Sequence, residues 1–289
     1  MESTPFTLIE PRLMASWPLY LLASALTVAA LMAAIWLWSL KRRDVSMVDA
    51  FWAPGFAVIL WTLLILTRNI TPFTLLLVFL TSFWAIRLGF YLAGRWLAHG
   101  EEDRRYAAMR AHHAGRFGRV SLYTVFGLQA ALMWLIALPL QLALLTVPSP
   151  PLGLFGILGT ALFLLGFALE AAADAQLHAF KANPENEGKV MDRGLWGWSR
   201  HPNYFGNAML WWGLFLLAAE TEAARWAFFA PVLMTFLLLR VSGVRLLEKT
   251  IAKRRPDYED YKTRVNAFVP LPPGWRKRHK ISNADKRST

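Results

Sequence analysis

WPLYLLASALTVAALMAAIWLWSLKRRD, residues 17–44, decides the class of fold. Its first part, Trp17 to Leu40, is about 24 residues without a charge, and it runs directly into Lys41-Arg42-Arg43-Asp44. A bilayer hydrocarbon core is about 30 Å thick and a helix rises about 1.5 Å per residue, so roughly 20 such residues cross it. No small-residue cleavage site precedes the basic stop, which predicts a retained helix and not a removed signal peptide. The same ruler finds further runs at 49–67, 72–94, 121–146, 152–178, 202–219 and 226–244. The expectation is an all-α, polytopic membrane protein of about seven transmembrane helices.

The breaks between runs have chemical causes. Arg68-Asn69 with Pro72 makes a tight turn, and Pro148-Ser149-Pro150-Pro151 cannot continue a helix because proline lacks the amide donor. Trp17, Trp96, Trp196, Trp198 and Trp226 stand at run ends, as an interfacial aromatic belt requires. The chain carries 14 tryptophans, and 56% of its residues are apolar; a soluble domain of this length is more polar. Cysteine is absent, which excludes disulfides, thiolate metal sites and a cysteine nucleophile.

The +12 formal charge does not point to nucleic acid, because it is concentrated in short segments between apolar runs. Segments 41–43, 95–119, 181–200 and the tail from Arg245 hold nearly all of the 31 lysines and arginines. The remainder are Arg12, Arg68 and Arg225, with Arg87 and Arg240 inside runs. Seven spans with the N-terminus outside and the C-terminus cytoplasmic put every rich segment on the cytoplasmic face. Residues 1–16 are then an extracytoplasmic segment, 17–270 a single membrane domain and 271–289 a basic cytoplasmic tail. The expected location is the cell membrane. The bilayer is the expected partner, with no nucleic acid and no obligate protein partner evident.

Chemistry concentrates between Glu170 and Tyr204. Glu170, Asp174 and His178 are spaced i, i+4, i+8 and share one helix face. An acid at the bilayer centre costs about 2.5–3.5 kcal/mol on insertion scales, so such residues face a polar cavity unless the helix is already leaving the membrane. The second explanation suits His178 best. Further on, Ser199-Arg200-His201-Pro202-Asn203-Tyr204-Phe205-Gly206 places a proline at a first helical position. Unpaired amides there, with Arg200 and His201 beside them, form an anion site suited to the phosphates of a nucleotide cofactor. Anionic lipid headgroups are the alternative guest, but they leave His201, Asn203 and Tyr204 unexplained.

Two other faces carry polar groups. Trp84, Arg87 and Tyr91 share a side of the third run, where Arg87 either snorkels to the interface or lines a cavity. Asp49, Trp52 and Phe56 do the same in the second run, and Asp49 is equally an ordinary first-turn acid on a helix dipole. His112-His113 reads as a solvated pair. There is no Gly-x-Gly-x-x-Gly fingerprint, phosphate-binding lysine loop or paired-histidine zinc helix, and no metal is expected.

GLWGWSRHPNYFG (194–206), with Leu246 through Tyr258 and Tyr261 to Phe268-Val269-Pro270, resembles the steroid 5α-reductase C-terminal superfamily. Within it the chain is most similar to a mostly bacterial branch of multi-pass membrane proteins. The likeness runs from Asp44-Val45-Ser46 through Glu101-Glu102-Asp103-Arg104-Arg105-Tyr106 to Ser242-Gly243 and Leu246-Leu247-Glu248-Lys249, and is densest over about 121–270. A shorter form of the Arg-His-Pro-x-Tyr-x-Gly pattern also occurs in isoprenylcysteine and phospholipid methyltransferases.

The resemblance implies an enzyme that binds NADPH from the cytoplasm and reduces a carbon–carbon double bond in an apolar lipid, such as a steroid-like or isoprenoid enone. It implies that Asn203, Tyr204, Trp198, Arg200 and His201 contact the cofactor at the start of the sixth run. Asp174 and Glu170 would reach it from the fifth, with Lys181 and Lys189 near its phosphates, Arg87 and Arg105 adding charge, and Tyr258 and Tyr261 closing the site. Tyr91, or Asp49 in its protonated form, would serve catalysis by donating to the developing enolate oxygen, and Trp52 and Trp84 would bound the substrate. Asn207 stands where relatives commonly have glutamate. The alternative is an S-adenosylmethionine-dependent membrane methyltransferase; the cations at Lys181, Lys189, Arg193 and Arg200 favour the cofactor with more phosphates. A non-enzymatic lipid-binding scaffold is a third reading.

Overall fold

The structure is a computed structural model, and the residues it describes are 10–241, 248, 255 and 257–272. Ser242-Gly243, Leu246-Leu247 and Lys249 of the resemblance, and the tail beyond 272, lie outside the described residues. Those described form helices and turns, with one isolated bridge, Ser199 to Asn266, and no strand. Among the described residues, six helical stretches are long and apolar enough to cross a membrane: Ser16–Arg42, Val48–Thr67, Pro72–Ala98, Arg104–Ile136, Leu154–Ala182 and Glu222–Val241. The chain is a polytopic helical membrane protein.

Two stretches differ in detail from the sequence reading. The expected span at 202–219 is a helix, but Pro202–Ala218 has only 17 residues. At about 1.5 Å per residue this gives about 25 Å, short of a full hydrocarbon core. The expected loop at 95–119 is largely helical: Arg104–His113 is a helix whose first turn is capped by Asp103, which accepts from the Arg105 amide at 2.9 Å. Its polar surface hides it from an apolar ruler.

The helices are numbered α1 (Glu10–Arg42), α2 (Val48–Thr67), α3 (Pro72–His99), α4 (Arg104–His113), α5 (Phe117–Ser121), α6 (Leu128–Ile136) and α7 (Leu138–Leu145). They continue as α8 (Leu154–Ala182), α9 (Pro202–Ala218), α10 (Glu222–Arg225), α11 (Phe229–Phe236) and α12 (Tyr258–Arg264). A π-helical turn, Leu122–Gly127, joins α5 to α6. The chain divides into two compact units, residues 1–156 with 217–230, and 157–216 with 231–289.

In the first unit α2 is the central helix, packed on α1, α3, α6 and α7. Phe56, Ile59, Leu60 and Leu63 of α2 are fully buried, as is Trp84 of α3, whose ring lies 5.9 Å from that of Phe56. A buried polar knot ties α1 to this core. Ser24 Oγ donates to Gln141 Oε1 at 2.6 Å, Gln141 Nε2 donates to the Trp134 carbonyl, and Trp134 Nε1 donates to the Leu21 carbonyl. Such groups are costly in lipid unless paired, so each bond fixes helix register. Thr71 and Thr74 form a reciprocal cap at the start of α3, ahead of Pro72.

In the second unit α8 and α9 meet backbone to backbone. A Cβ on Gly206 would lie 2.6 Å from both the Glu170 nitrogen and the Gly166 oxygen. A Cβ on Gly166 would lie 2.5 Å from the Leu210 nitrogen, and one on Gly213 would lie 2.5 Å from the Phe163 nitrogen. Side chains smaller than alanine are required here, and the close approach replaces hydrophobic drive, which lipid does not supply. This seam sets the register of the two helices.

Candidate functional site

The α8–α9 seam aligns two acid–amide pairs, one turn apart. Asn203 Nδ2 donates to Asp174 Oδ1 at 3.0 Å, and Asn207 Nδ2 donates to Glu170 Oε1 at 2.9 Å. Glu170 and Asp174 are 4% and 3% exposed, so both acids of the predicted face point inward, while His178 further along the face is exposed. Asn203 is half-buried and its Oδ1 accepts from the Tyr204 amide at 3.0 Å, which orients the side-chain amide at the first turn of α9. Tyr204 stacks on His201, with ring centres 5.6 Å apart and planes within 4° of parallel.

The segment before α9 is held from both sides. Trp196 Nε1 donates to the Ala173 carbonyl and the Leu195 amide to Gln176 Oε1, each at 3.0 Å, which docks the loop on α8. Gly194 has φ of +56°, a conformation disfavoured for residues with a Cβ. From the other side comes the C-terminal stretch. The Arg200 amide donates to the Asn266 carbonyl, Ser199 Oγ donates to the Phe268 carbonyl at 2.7 Å, and the Leu271 amide donates to the Trp198 carbonyl.

Arg200 is the centre of that clasp. Its Nε donates to Glu248 Oε1 at 2.7 Å, and one terminal nitrogen donates to the carbonyls of Val265 (2.7 Å) and Lys262 (3.1 Å). Those carbonyls end α12, where a cation satisfies both the unpaired oxygens and the helix dipole. Arg200 is therefore turned into the protein, 7% exposed, and its guanidinium braces the tail. His201 Nε2 lies 3.4 Å from the same Glu248 oxygen. Burial pushes the imidazole pKa below 6.5 in spite of that neighbour, so His201 is neutral at pH 7. Partial burial works against the Glu248 carboxylate, but hydrogen bonds from His201 and Arg200 and the Arg200 charge outweigh it and hold its pKa down to about 2.

Tyr258 and Tyr261 are buried beneath this clasp, their rings 5.7 Å apart, and the Tyr261 hydroxyl donates to the Trp196 carbonyl at 2.5 Å. Burial raises both phenols well above their usual pKa, so both stay protonated. Trp198, Lys181 and Lys189 are exposed.

The remaining predicted residues belong to the first unit and form a second group. Asp49 at the start of α2 accepts from Arg105 at 2.6 Å and from the Tyr106 hydroxyl at 2.7 Å. Arg105 also pairs with Asp103 at 2.9 Å. Glu102 takes a two-pronged bond from Arg110, both prongs 2.7 Å, and accepts from the Val45 amide. Trp96 Nε1 donates to Asp44 at 2.6 Å. Residues 44–49 and 101–106, far apart in sequence, are thus one network. Trp52 stacks edge-on against Phe56 and Trp84 packs behind it. Tyr91 is half-buried under Arg95, whose guanidinium lies 5.8 Å from the ring centre, and Arg87 is half-buried on the same helix.

Sequence reasoning missed four participants. Asn207 appeared only as a departure from relatives, yet it supplies the donor to Glu170. Glu248 and Ser199 stood in the quoted stretches without a role of their own, yet they carry the clasp. Tyr106 gives its hydroxyl to Asp49, and its only signal was its place after Arg105 in the shared stretch.

The family described as "Protein of unknown function (DUF1295)" matches residues 35–265. The chain belongs to this DUF1295 family. An uncharacterised protein of Schizosaccharomyces pombe is 25% identical over 262 residues, 82% of this chain and 75% of the relative. Two enzymes share a shorter region with this DUF1295 member. Delta(14)-sterol reductase of Arabidopsis thaliana is 30% identical over 118 residues, 36% of this chain and 30% of the reductase. Protein-S-isoprenylcysteine O-methyltransferase of Saccharomyces cerevisiae is 28% identical over 122 residues, 40% of this chain and 48% of the methyltransferase. The match to both enzymes thus covers less than half of their length. No solved structure matches the chain.

Proposed function

We propose that this DUF1295 protein is a membrane enzyme of the steroid 5α-reductase type, an NADPH-dependent reductase of a carbon–carbon double bond in a lipid. The observation that carries the reading is the buried Asp174–Asn203 and Glu170–Asn207 ladder at the entry of α9. Buried acids at a helix entry, in a chain locally similar to a sterol reductase, suit a polar ligand and not a purely structural helix pair.

The donor set fits a phosphorylated nucleoside. Carboxylate and amide groups of Asp174 and Asn203 would hold ribose hydroxyls or a carboxamide, and the exposed Lys181, Lys189 and Arg193 would meet the phosphates. Arg200 does not join them: it holds the tail against the loop and so keeps Asn203 and Tyr204 in place. When bound, NADPH supplies a hydride. The chain's own contribution is to orient that group at Asn203. The Asp49, Arg105 and Tyr106 network keeps residues 101–106 on the start of α2.

Titration of the purified protein in detergent, followed by tryptophan fluorescence, tests this. NADPH binds, and Asn203→Ala weakens it at least tenfold by removing the side-chain amide that stands beside Asp174 at the entry of α9. Binding of S-adenosylmethionine in place of NADPH selects the second reading, a membrane methyltransferase. That reading has its own support in the methyltransferase match of similar extent and in Arg200 being engaged internally. Binding of neither removes the nucleotide site.

A further inference from the structure

We propose that the end of α1 and the turn at 116–119 form a binding site for the headgroup of an anionic phospholipid. The two segments are distant in sequence but joined in space. Trp36 Nε1 donates to the Gly118 carbonyl at 2.8 Å, and a Cβ on Gly118 would lie 3.1 Å from a Leu40 methyl. Arg110, whose guanidinium sits 4.7 Å from the Phe117 ring centre, donates to the Arg43 carbonyl at 3.2 Å. These contacts hold the turn that carries Arg116 and Arg119 against the end of α1, which continues into Lys41, Arg42 and Arg43.

All five cations are exposed, and none forms an ion pair among the described residues. The nearby acids already have donors. Asp44 accepts from Trp96 and the Ser46 amide, and Glu102 accepts from Arg110 and the Val45 amide. The patch therefore keeps its charge. Sequence bias for one side of a membrane needs cations in a loop; it does not need two separate segments brought to one spot.

The position selects a lipid over a soluble anion. Lys41 and Arg42 end the span Ser16–Arg42, so they lie where headgroup phosphates lie. Directly before them, Leu37 and Leu40 are 59% and 40% exposed and Trp38 is 43% exposed, an apolar shelf for acyl chains beside the cations. A headgroup phosphate with its chains along that shelf meets both halves. This inference does not depend on the reductase reading.

The test is native mass spectrometry of detergent-purified protein with added phosphatidylglycerol or phosphatidylcholine, repeated on Arg116→Gln/Arg119→Gln. Each cation near an anionic surface contributes roughly a factor of five, so the double variant should lose roughly twenty- to thirty-fold in phosphatidylglycerol affinity. Phosphatidylcholine binding should not change, and the variant's circular dichroism should match the parent, since both side chains are exposed. Equal retention of the two lipids by the parent overturns the proposal, as does unchanged phosphatidylglycerol binding in the variant. Displacement of the lipid by millimolar glycerol 3-phosphate assigns the patch to a soluble phosphate and overturns it as well.

Discussion

Gly206→Ala is a one-carbon change with a large expected effect. The added Cβ falls 2.6 Å from the Glu170 nitrogen and the Gly166 oxygen, about 0.8 Å inside the 3.4 Å where ordinary contact begins. Both atoms are helix backbone, so no side chain can rotate away, and α9 must move off α8. Asn207 and Asn203 ride on α9, and their donor distances of 2.9 and 3.0 Å then stretch beyond the 3.5 Å at which such bonds are lost. Overpacking a helix contact costs about 1–3 kcal/mol, and two weakened bonds to buried acids place this case at about 3 kcal/mol, roughly 150-fold in the folded-to-unfolded ratio. Reversible unfolding in mixed micelles, followed by tryptophan fluorescence, measures it. Gly94→Ala is the control: its Cβ meets nothing within 4 Å, so alanine in mid-helix should be neutral or stabilising by about 1 kcal/mol. A Gly206→Ala protein as stable as Gly94→Ala would refute the seam as the element that sets the register.

Arg200→Met removes the clasp, leaving the Glu248 carboxylate with His201 alone and the α12 carbonyls without the guanidinium, costing about 3 kcal/mol. Limited proteolysis should then cut the stretch 257–272 well before the parent is cut. Acidification should weaken the protein in two steps. His201 has its pKa lowered by folding, so its contribution is complete above 6.5 and is lost as pH falls below that value. Glu248, lowered to about 2, contributes fully above 4.5 and loses that contribution between 4.5 and about 2. Thermal melts against pH should show both steps, and Glu248→Gln should abolish the lower one; a flat profile in the parent would sink this assignment.

Much of the molecule is legible before any coordinates. The uncharged run from Trp17 to Leu40 has to be a membrane helix because no other structure satisfies its backbone in hydrocarbon. Pro202 marks the start of α9, and the prolines at 148–151 mark the gap between α7 and α8, because a missing amide acts locally. The i, i+4 spacing of Glu170 and Asp174 places both on one face, and both are buried. Helix α4 escaped notice for the converse reason. Its stability comes from the Asp103 cap and from Arg110 clasping Glu102, not from an apolar stripe.

Partnership is what the sequence leaves open. Arg200 looks like a phosphate ligand beside a helix start, but Glu248 lies 48 residues away and takes its charge. Asn207 is a puzzling amide until the glycine seam brings Glu170 against it. By itself the sequence determined six of the seven expected spans, the basic segments and the face that carries the acids, since insertion and helix periodicity depend on neighbours along the chain. Only the tertiary structure decided which cations are used inside the protein and which stay exposed. Hydrogen bonds join groups by distance in space, and the close approach of α8 and α9 is set by what is missing at Gly166, Gly206 and Gly213.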